Sequence, residues 1–232
     1  MIKKSNLRLS SVNLKLIAVI TMLLDHCAVV FFTPSSTEYF ILRSIGRLAF
    51  PIYCFLLAQG FRHTRNVKRY IFRLFCFAII SEIPFDLIFY GKAFYLQHQN
   101  VFFTLLIALS VMAIASRLEN KSSMFPMMAV MLAGMILAEL IRCDYGCLGV
   151  LVCLACWLAP KYGNSQWVLI IGSLILLSQL KIPQIFGVLA VGLLFLYDDN
   201  RPTLKNPLLR SVFYWFYPAH LLILYAIHLL IQ

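Results

Sequence analysis

Nine runs of predominantly apolar residues follow one another along this chain with little between them, over 14–32, 47–60, 70–90, 100–117, 124–141, 146–160, 166–180, 184–197 and 211–231. In hydrocarbon the backbone must satisfy its own hydrogen bonds. Only helices and closed barrels do so, and these runs are too long and too weakly alternating for barrel strands. The sequence therefore predicts an all-α fold, a polytopic integral membrane bundle of about nine transmembrane helices. The shorter helices would need local thinning or flanking anchors to cross roughly 30 Å of hydrocarbon. Composition agrees, since 62% of the residues are apolar and 12% are charged, well outside the usage of water-soluble domains. No long polar stretch marks a linker, so residues 1–232 read as a single transmembrane domain. The runs at 166–180 and 184–197 are parted only by Lys181, Ile182 and Pro183, a spacing also compatible with a re-entrant pair. Positions 1–13 resemble the basic start of a signal peptide. The run that follows, however, carries Asp25 and His26 and offers no small-x-small cleavage site, so it is expected to persist as the first helix.

The net charge of +11 matters less than its distribution. In the nine-helix arrangement Lys3, Lys4, Arg8, Lys15, Arg62, Arg65, Lys68, Arg69, Arg73, Arg117, Lys121, Lys161, Arg201, Lys205 and Arg210 fall on one side, against Arg43, Arg47, Lys92, Arg142 and Lys181 on the other. Fifteen against five predicts a cytoplasmic N-terminus and an exterior C-terminus. No internal repeat is visible, which weighs against the many transporters built from related halves.

Acidic residues inside the bundle are costly, about 2.5–3.5 kcal/mol each at a helix centre. Asp25 and His26 fall in the outer half of the first run and Glu82 and Asp86 in the outer half of the third. Glu139 and Asp144 lie near the outer end of the fifth. Gln99 and Asn100 open the fourth run, and Arg43 and Arg47 lead into the second. The intramembrane polar groups thus gather at one depth. Glu82 and Asp86 are four apart and share a face, with Pro84 between them. Asp25 and His26 diverge by about 100° around their helix and need partners elsewhere. Arg47 is the natural counter-ion for an acid of this layer. One reading is a buried acid/base centre in which His26 takes a proton from a nucleophile. The other is a polar network that merely locks the bundle. Tyr217 and His220 share a face of the last run, whereas Tyr214 and Trp215 read as interfacial anchors.

The segment with Arg62, His63, Arg65, Lys68, Arg69 and Arg73 serves topology and anionic-lipid contact, or docks the phosphates of a nucleotide cofactor. Cys153 and Cys156 form a CxxC without a second pair or nearby His, so no metal is expected. Cys143 and Cys147 flank the Asp144–Tyr145–Gly146 turn, a spacing that would allow pairing in an oxidising setting, though free thiols are the expectation. Phosphate-binding Gly-rich loops and hydrolase or metalloprotease signatures are missing, and nothing points to nucleic acid.

Seven segments in order carry a resemblance. They are LKLIAVITMLLDH ending at Asp25 and His26, GRLAFPIYCFLLAQGF from Gly46 to Phe61, KRYIFRL, SEIPFDL from Ser81, QNVFFTL from Gln99, DYG from Asp144, and FYPAHLLIL from Phe216. Together they resemble the TraX family over essentially the whole chain. That family comprises inner-membrane proteins of conjugative plasmids implicated in N-acetylation of pilin, with chromosomal relatives of unknown substrate, and it is similar to wider transmembrane acyltransferases. The resemblance implies a multi-pass protein of the bacterial cytoplasmic membrane that uses acetyl-CoA as acyl donor and a pilin or small molecule as acceptor. It implies His26 as base, with Asp25, Arg47, Glu82, Asp86 and His220 in the catalytic layer. Arg62, Arg65, Lys68, Arg69, Asn100 and Tyr217 would lie along the donor, with Arg47 or Asn100 as oxyanion stabiliser. His26 sits roughly 16 Å from the cytoplasmic end of its helix, so the thioester would have to thread into the bundle. The rival readings are a proton-coupled transporter using the Asp, His and Glu groups, and a non-catalytic assembly protein.

Overall fold

The computed structural model describes residues 8–119, 123–161, 166–178, 182–201 and 207–231. Among these the secondary structure is helical: α1 (Ser11–Phe31), α2 (Thr37–Gly46), α3 (Ala49–His63), α4 (Val67–Tyr90), α5 (Val101–Leu118), α6 (Phe125–Leu140), α7 (Gly146–Leu158), α8 (Gln166–Ser178), a 3-10 segment (Ile182–Leu189), α9 (Ala190–Phe195) and α10 (Pro207–Ile231). Lys181, expected to part the last two internal runs, lies outside the described residues, as do Lys3, Lys4, Lys121 and Lys205.

Local chemistry sets the helix starts. Ser10 accepts from the Asn13 N–H while Asn13 Oδ1 accepts from the Ser10 N–H, a reciprocal capping box. Ser36, Asn66 and Asn100 cap α2, α4 and α5 by accepting from Tyr39, Arg69 and Phe102. α4 stops at Gly91, whose φ of +65° suits glycine and whose N–H reaches Leu87 O.

Four segments are long and apolar enough to cross a membrane: Ser11–Phe31, Thr37–His63, Val101–Leu118 and Ser211–Ile231. Shorter apolar helices cover Phe125–Leu140, Gly146–Lys161, Trp167–Ser178 and Pro183–Phe195. Large apolar side chains stand outward along α6 and α10, including Phe125, Leu132, Leu140, Ile223 and Leu230. An outward apolar belt of this kind is the arrangement a bilayer favours over water. The chain is thus an all-helical membrane protein.

Two expected runs differ in detail. The run at 47–60 is preceded by α2, and together α2 and α3 make one long segment with a break at Arg47 and Leu48. Pro51 explains the break: it has no N–H to give the Arg47 carbonyl four residues earlier. Gly187 packs on that carbonyl, where an added Cβ would stand 3.1 Å from the oxygen. The run at 184–197 is not one α-helix but a 3-10 segment followed by the short α9.

Helices α1, α3, α7, α5, α4 and α10 pack in a closed ring, each against the next. α6 covers α5 and α7 from outside, and α8, the 3-10 segment and α9 cover the flank of α2, α3 and α7. At one end of the bundle Leu9 exchanges backbone hydrogen bonds with Leu196 and Asp198, and Arg8 pairs with Asp198 at 2.8 Å. At the other end Gln99 exchanges them with Arg142 and Asp144. These are called the Leu9 end and the Asp144 end.

Candidate functional site

The ring encloses a cavity of about 530 Å³. Its lining runs from Ser11, Lys15, Gly60, His63, Arg73 and Asp199 toward the Leu9 end to Asp25, His26, Asp144 and Tyr145 toward the Asp144 end. The fifteen-residue offset from Ser11 to His26 along α1 corresponds to roughly 22 Å, so the cavity is a long passage rather than a surface dimple.

His26 and His220 meet inside the bundle. His26 Nδ1 lies 2.6 Å from His220 Nε2, the two rings nearly coplanar with centroids 4.9 Å apart. Contact between ring nitrogens in a shared plane is an edge-to-edge hydrogen bond rather than a face-to-face stack. His220 Nδ1 lies 2.7 Å from the Phe216 carbonyl oxygen, which can only accept. His220 therefore carries its proton on Nδ1 and accepts at Nε2, and His26 donates from Nδ1. This leaves the unprotonated Nε2 of His26, a residue that lines the cavity. Phe89 and Tyr217 meet the His26 ring edge-on, with centroids 5.6 and 6.1 Å away, and limit its rotation.

Asp25, one residue earlier, turns to another face of α1 and is gripped by two guanidinium groups. Arg43 Nη1 donates to one carboxylate oxygen and Arg47 Nη2 to the other. Arg47 also donates to Gln184 Oε1 at 3.1 Å, to Tyr145 Oη at 3.5 Å and to the Arg43 carbonyl at 3.2 Å. Asp25 and Arg47 are 7% and 8% exposed, and at that burial breaking such a pair costs about 3–5 kcal/mol. Gly46 makes the grip possible, because it lies directly on Asp25 and leaves no room for a Cβ.

A second polar group lies toward the Asp144 end. The Asn100 side chain donates to Glu82 and, at 2.8 Å, to the Ala78 carbonyl, while the Asn100 N–H also reaches Glu82. Asp86 accepts from the Tyr95 N–H at 2.6 Å. One oxygen of each acid, Glu82 Oε1 and Asp86 Oδ1, is buried without a hydrogen-bond partner among the described residues. Glu82, Asp86, Asn100 and Arg47 do not line the cavity; they hold the 95–100 segment and α1 in place behind it. His220 likewise stands behind His26, whereas Tyr217 lines the cavity.

The expected donor-contacting cations lie elsewhere. Arg62 donates to the carbonyls of Cys156 and Trp157, both at 2.8 Å, which closes the C-terminal end of α7. Arg65, Lys68 and Arg69 are exposed and outside the cavity lining. Asn100 and Arg47 are engaged by the partners named above and stand outside the lining.

Sequence reasoning missed Tyr145, Gln184 and the part played by Arg43. Tyr145 holds φ +65° at the start of α7 and stacks on Phe50 at 3.8 Å, a strained position of the kind that collects at sites. The signal for Gln184 was its polarity inside the 184–197 apolar run. Cys143 and Cys147 are free thiols, and burial pushes the Cys143 thiol up to about 12.

A family model described as TraX protein matches residues 10–228. The chain is 34% identical to a protein of Dichelobacter nodosus named probable fimbrial assembly protein FimC, serogroup H1, over 98% of this chain and 99% of that protein. No solved structure matches the chain.

Proposed function

The chain belongs to the TraX family, and on that footing we propose that it is a membrane-embedded acetyltransferase carrying an acetyl group from cytoplasmic acetyl-CoA to an amine or hydroxyl acceptor. One observation carries the proposal: a histidine with its tautomer fixed from behind stands at the inner part of a long cavity and keeps one basic nitrogen.

The chemistry follows from that nitrogen. A neutral acceptor N–H or O–H hydrogen-bonds to His26 Nε2, and its heteroatom attacks the thioester carbonyl carbon. The proton passes to Nε2 as the new bond forms. When the C–S bond breaks, the leaving thiolate takes the proton back and leaves as the thiol, so His26 is regenerated. The protonated ring is stabilised through Nδ1–H by His220 and, beyond it, by the Phe216 carbonyl. Tyr217, edge-on to His26 and in the lining, is the donor assigned to the thioester oxygen.

In this reading the Leu9 end faces the cytoplasm of a bacterial cell, the chain crosses the inner membrane nine times, and the acceptor arrives from the Asp144 end. The elongated cavity suits an extended pantetheine arm that would bring a cytoplasmic thioester to His26. The fimbrial assembly name of the relative favours a pilin-like terminus as acceptor.

The test is transfer of radiolabelled acetyl from acetyl-CoA by the purified, reconstituted protein. His26→Gln should lose transfer by about 10²-fold or more while melting as the parent does and still binding the donor. Undiminished transfer in that variant, or ion flux in liposomes without any transfer, would overturn the reading.

A further inference from the structure

The cavity mouth at the Leu9 end carries three basic side chains, Lys15, His63 and Arg73. His63 faces Asp199 at 3.1 Å. Arg73 makes no ion pair with any described carboxylate. Its guanidinium lies over the ring of Tyr70 at 5.0 Å and that of Tyr214 at 4.7 Å, which fixes the fork without neutralising it. Arg73 sits six residues past the start of α4, about 9 Å along the axis, and its side chain is exposed in the cavity lining, open to a ligand. Lys15 sits one turn into α1, its ammonium 5.7 Å from the Phe213 ring. The two cations thus come from α1 and α4, the two helices that flank α10 in the ring.

We propose that Arg73 and Lys15 form a phosphate-binding pair at the cavity mouth, taking the phosphate groups of the thioester donor. The assignment rests on the acetyl-CoA reading above, but it moves the anchor from the exposed basic stretch to two side chains that line the passage. Arg62 is engaged by carbonyls of α7, and Arg65, Lys68 and Arg69 are not part of the lining. The guanidinium fork matches a phosphate with two parallel hydrogen bonds, and the Lys15 ammonium in the same lining adds point charge. Gly60 belongs to the same device: an added Cβ would stand 3.0 Å from Tyr70 Oη and would push the ring on which Arg73 rests.

The phosphate could reach the pair from the donor or from a lipid headgroup, and the test separates the two. Binding of radiolabelled acetyl-CoA is measured on the full chain in phosphatidylcholine nanodiscs, with melting curves to verify folding. Arg73→Gln and Lys15→Gln should each weaken binding by about tenfold or more, with Arg73→Lys between Arg73→Gln and the parent, because a fork contact is replaced by a point charge. Arg65→Gln and Arg69→Gln should stay within about twofold, because neither residue lines the cavity and their charges are screened at that distance. Parent binding that is insensitive to Arg73 and Lys15 but lost in the Arg65 and Arg69 variants would overturn the inference and leave the acetyltransferase reading standing. No acetyl-CoA binding by the parent, with Arg73-dependent retention of phosphatidylglycerol from mixed nanodiscs, would keep the phosphate pair, assign it to lipid and remove the donor reading.

Discussion

Replacing Gly46 with alanine should drive α1 and α2 apart at the point where the site is tied together. An added Cβ would lie 2.3 Å from both Asp25 Cβ and Asp25 Oδ1, and 2.6 Å from Cγ. Carbon atoms rest at about 3.5 Å, so the two backbones must separate by about 1.2 Å or Asp25 must leave its rotamer. Asp25 cannot leave freely, because Arg43 and Arg47 hold its two oxygens from different sides. Overpacking of this kind costs about 1–3 kcal/mol, and weakening the buried pair adds part of the roughly 3–5 kcal/mol that losing it would cost. Helix propensity returns a little under 1 kcal/mol on Gly→Ala. A net loss of about 3 kcal/mol corresponds to a fall of about 6–12 °C in melting temperature for a chain of this size. Tryptophan fluorescence during thermal unfolding in detergent reads the shift. Gly172→Ala and Gly192→Ala serve as controls, since a Cβ at either position meets nothing within 4 Å, and they should be neutral or slightly stabilising. A Gly46→Ala melting curve level with those controls would refute the close approach and, with it, the account of how Asp25 is held.

Further expectations follow from the same geometry. His220→Ala should lower kcat by about 10²-fold with little change in donor KM, whereas His220→Gln, whose amide oxygen can still accept the His26 Nδ1 proton, should recover part of the loss; equal losses would mean that His220 does not set the tautomer. Asp198, held below the usual carboxylate range by the hydrogen bond from Arg8, has a folded pKa lower than its unfolded one. Its contribution is therefore present above the ordinary carboxylate pKa and is lost as pH falls through the depressed one. Acid titration should release the segment before α1, read as faster proteolysis there, and Asp198→Asn should abolish the pH dependence. An alkaline phosphatase fused after α10 should be active and a cytoplasm-dependent reporter silent; the reverse would reject an odd number of crossings.

Much of the helix layout was legible because apolar length is a one-dimensional signal. The runs at 14–32, 70–90 and 100–117 lie within about three residues of α1, α4 and α5, a margin normal for helix boundaries. α2 was not legible: Thr37–Gly46 mixes Glu38, Arg43 and Ser44 with apolar residues, and its helix is stabilised by packing on α1. The 3-10 geometry after Ile182 was hidden as well, and the contacts of Gln184 and Gly187 that accompany it reach Arg47 across the fold. The polar layer was visible as a depth, because the cost of burying charge marks such residues in any sequence. What each residue faces was not. Spacing along helices cannot say that Asn100 closes a helix end on Glu82, or that Arg73 rather than Arg62 turns into the cavity. Those facts depend on how six helices are arranged around a ring.

The bond between His26 and His220 joins residues 194 positions apart, and this separation bears on how the protein is made. α1 is synthesised and inserted long before α10 exists, so throughout translation its imidazole has no partner to fix the Nδ1 proton. His26 acquires this tautomer only when α10 takes its place beside α1 and α4. A chain released before α10 would leave the ring open between α1 and α4 and its histidine untuned. Supplying α10 as a separate peptide should then restore transfer to such a truncated chain, making the His–His contact a molecular record that synthesis has finished.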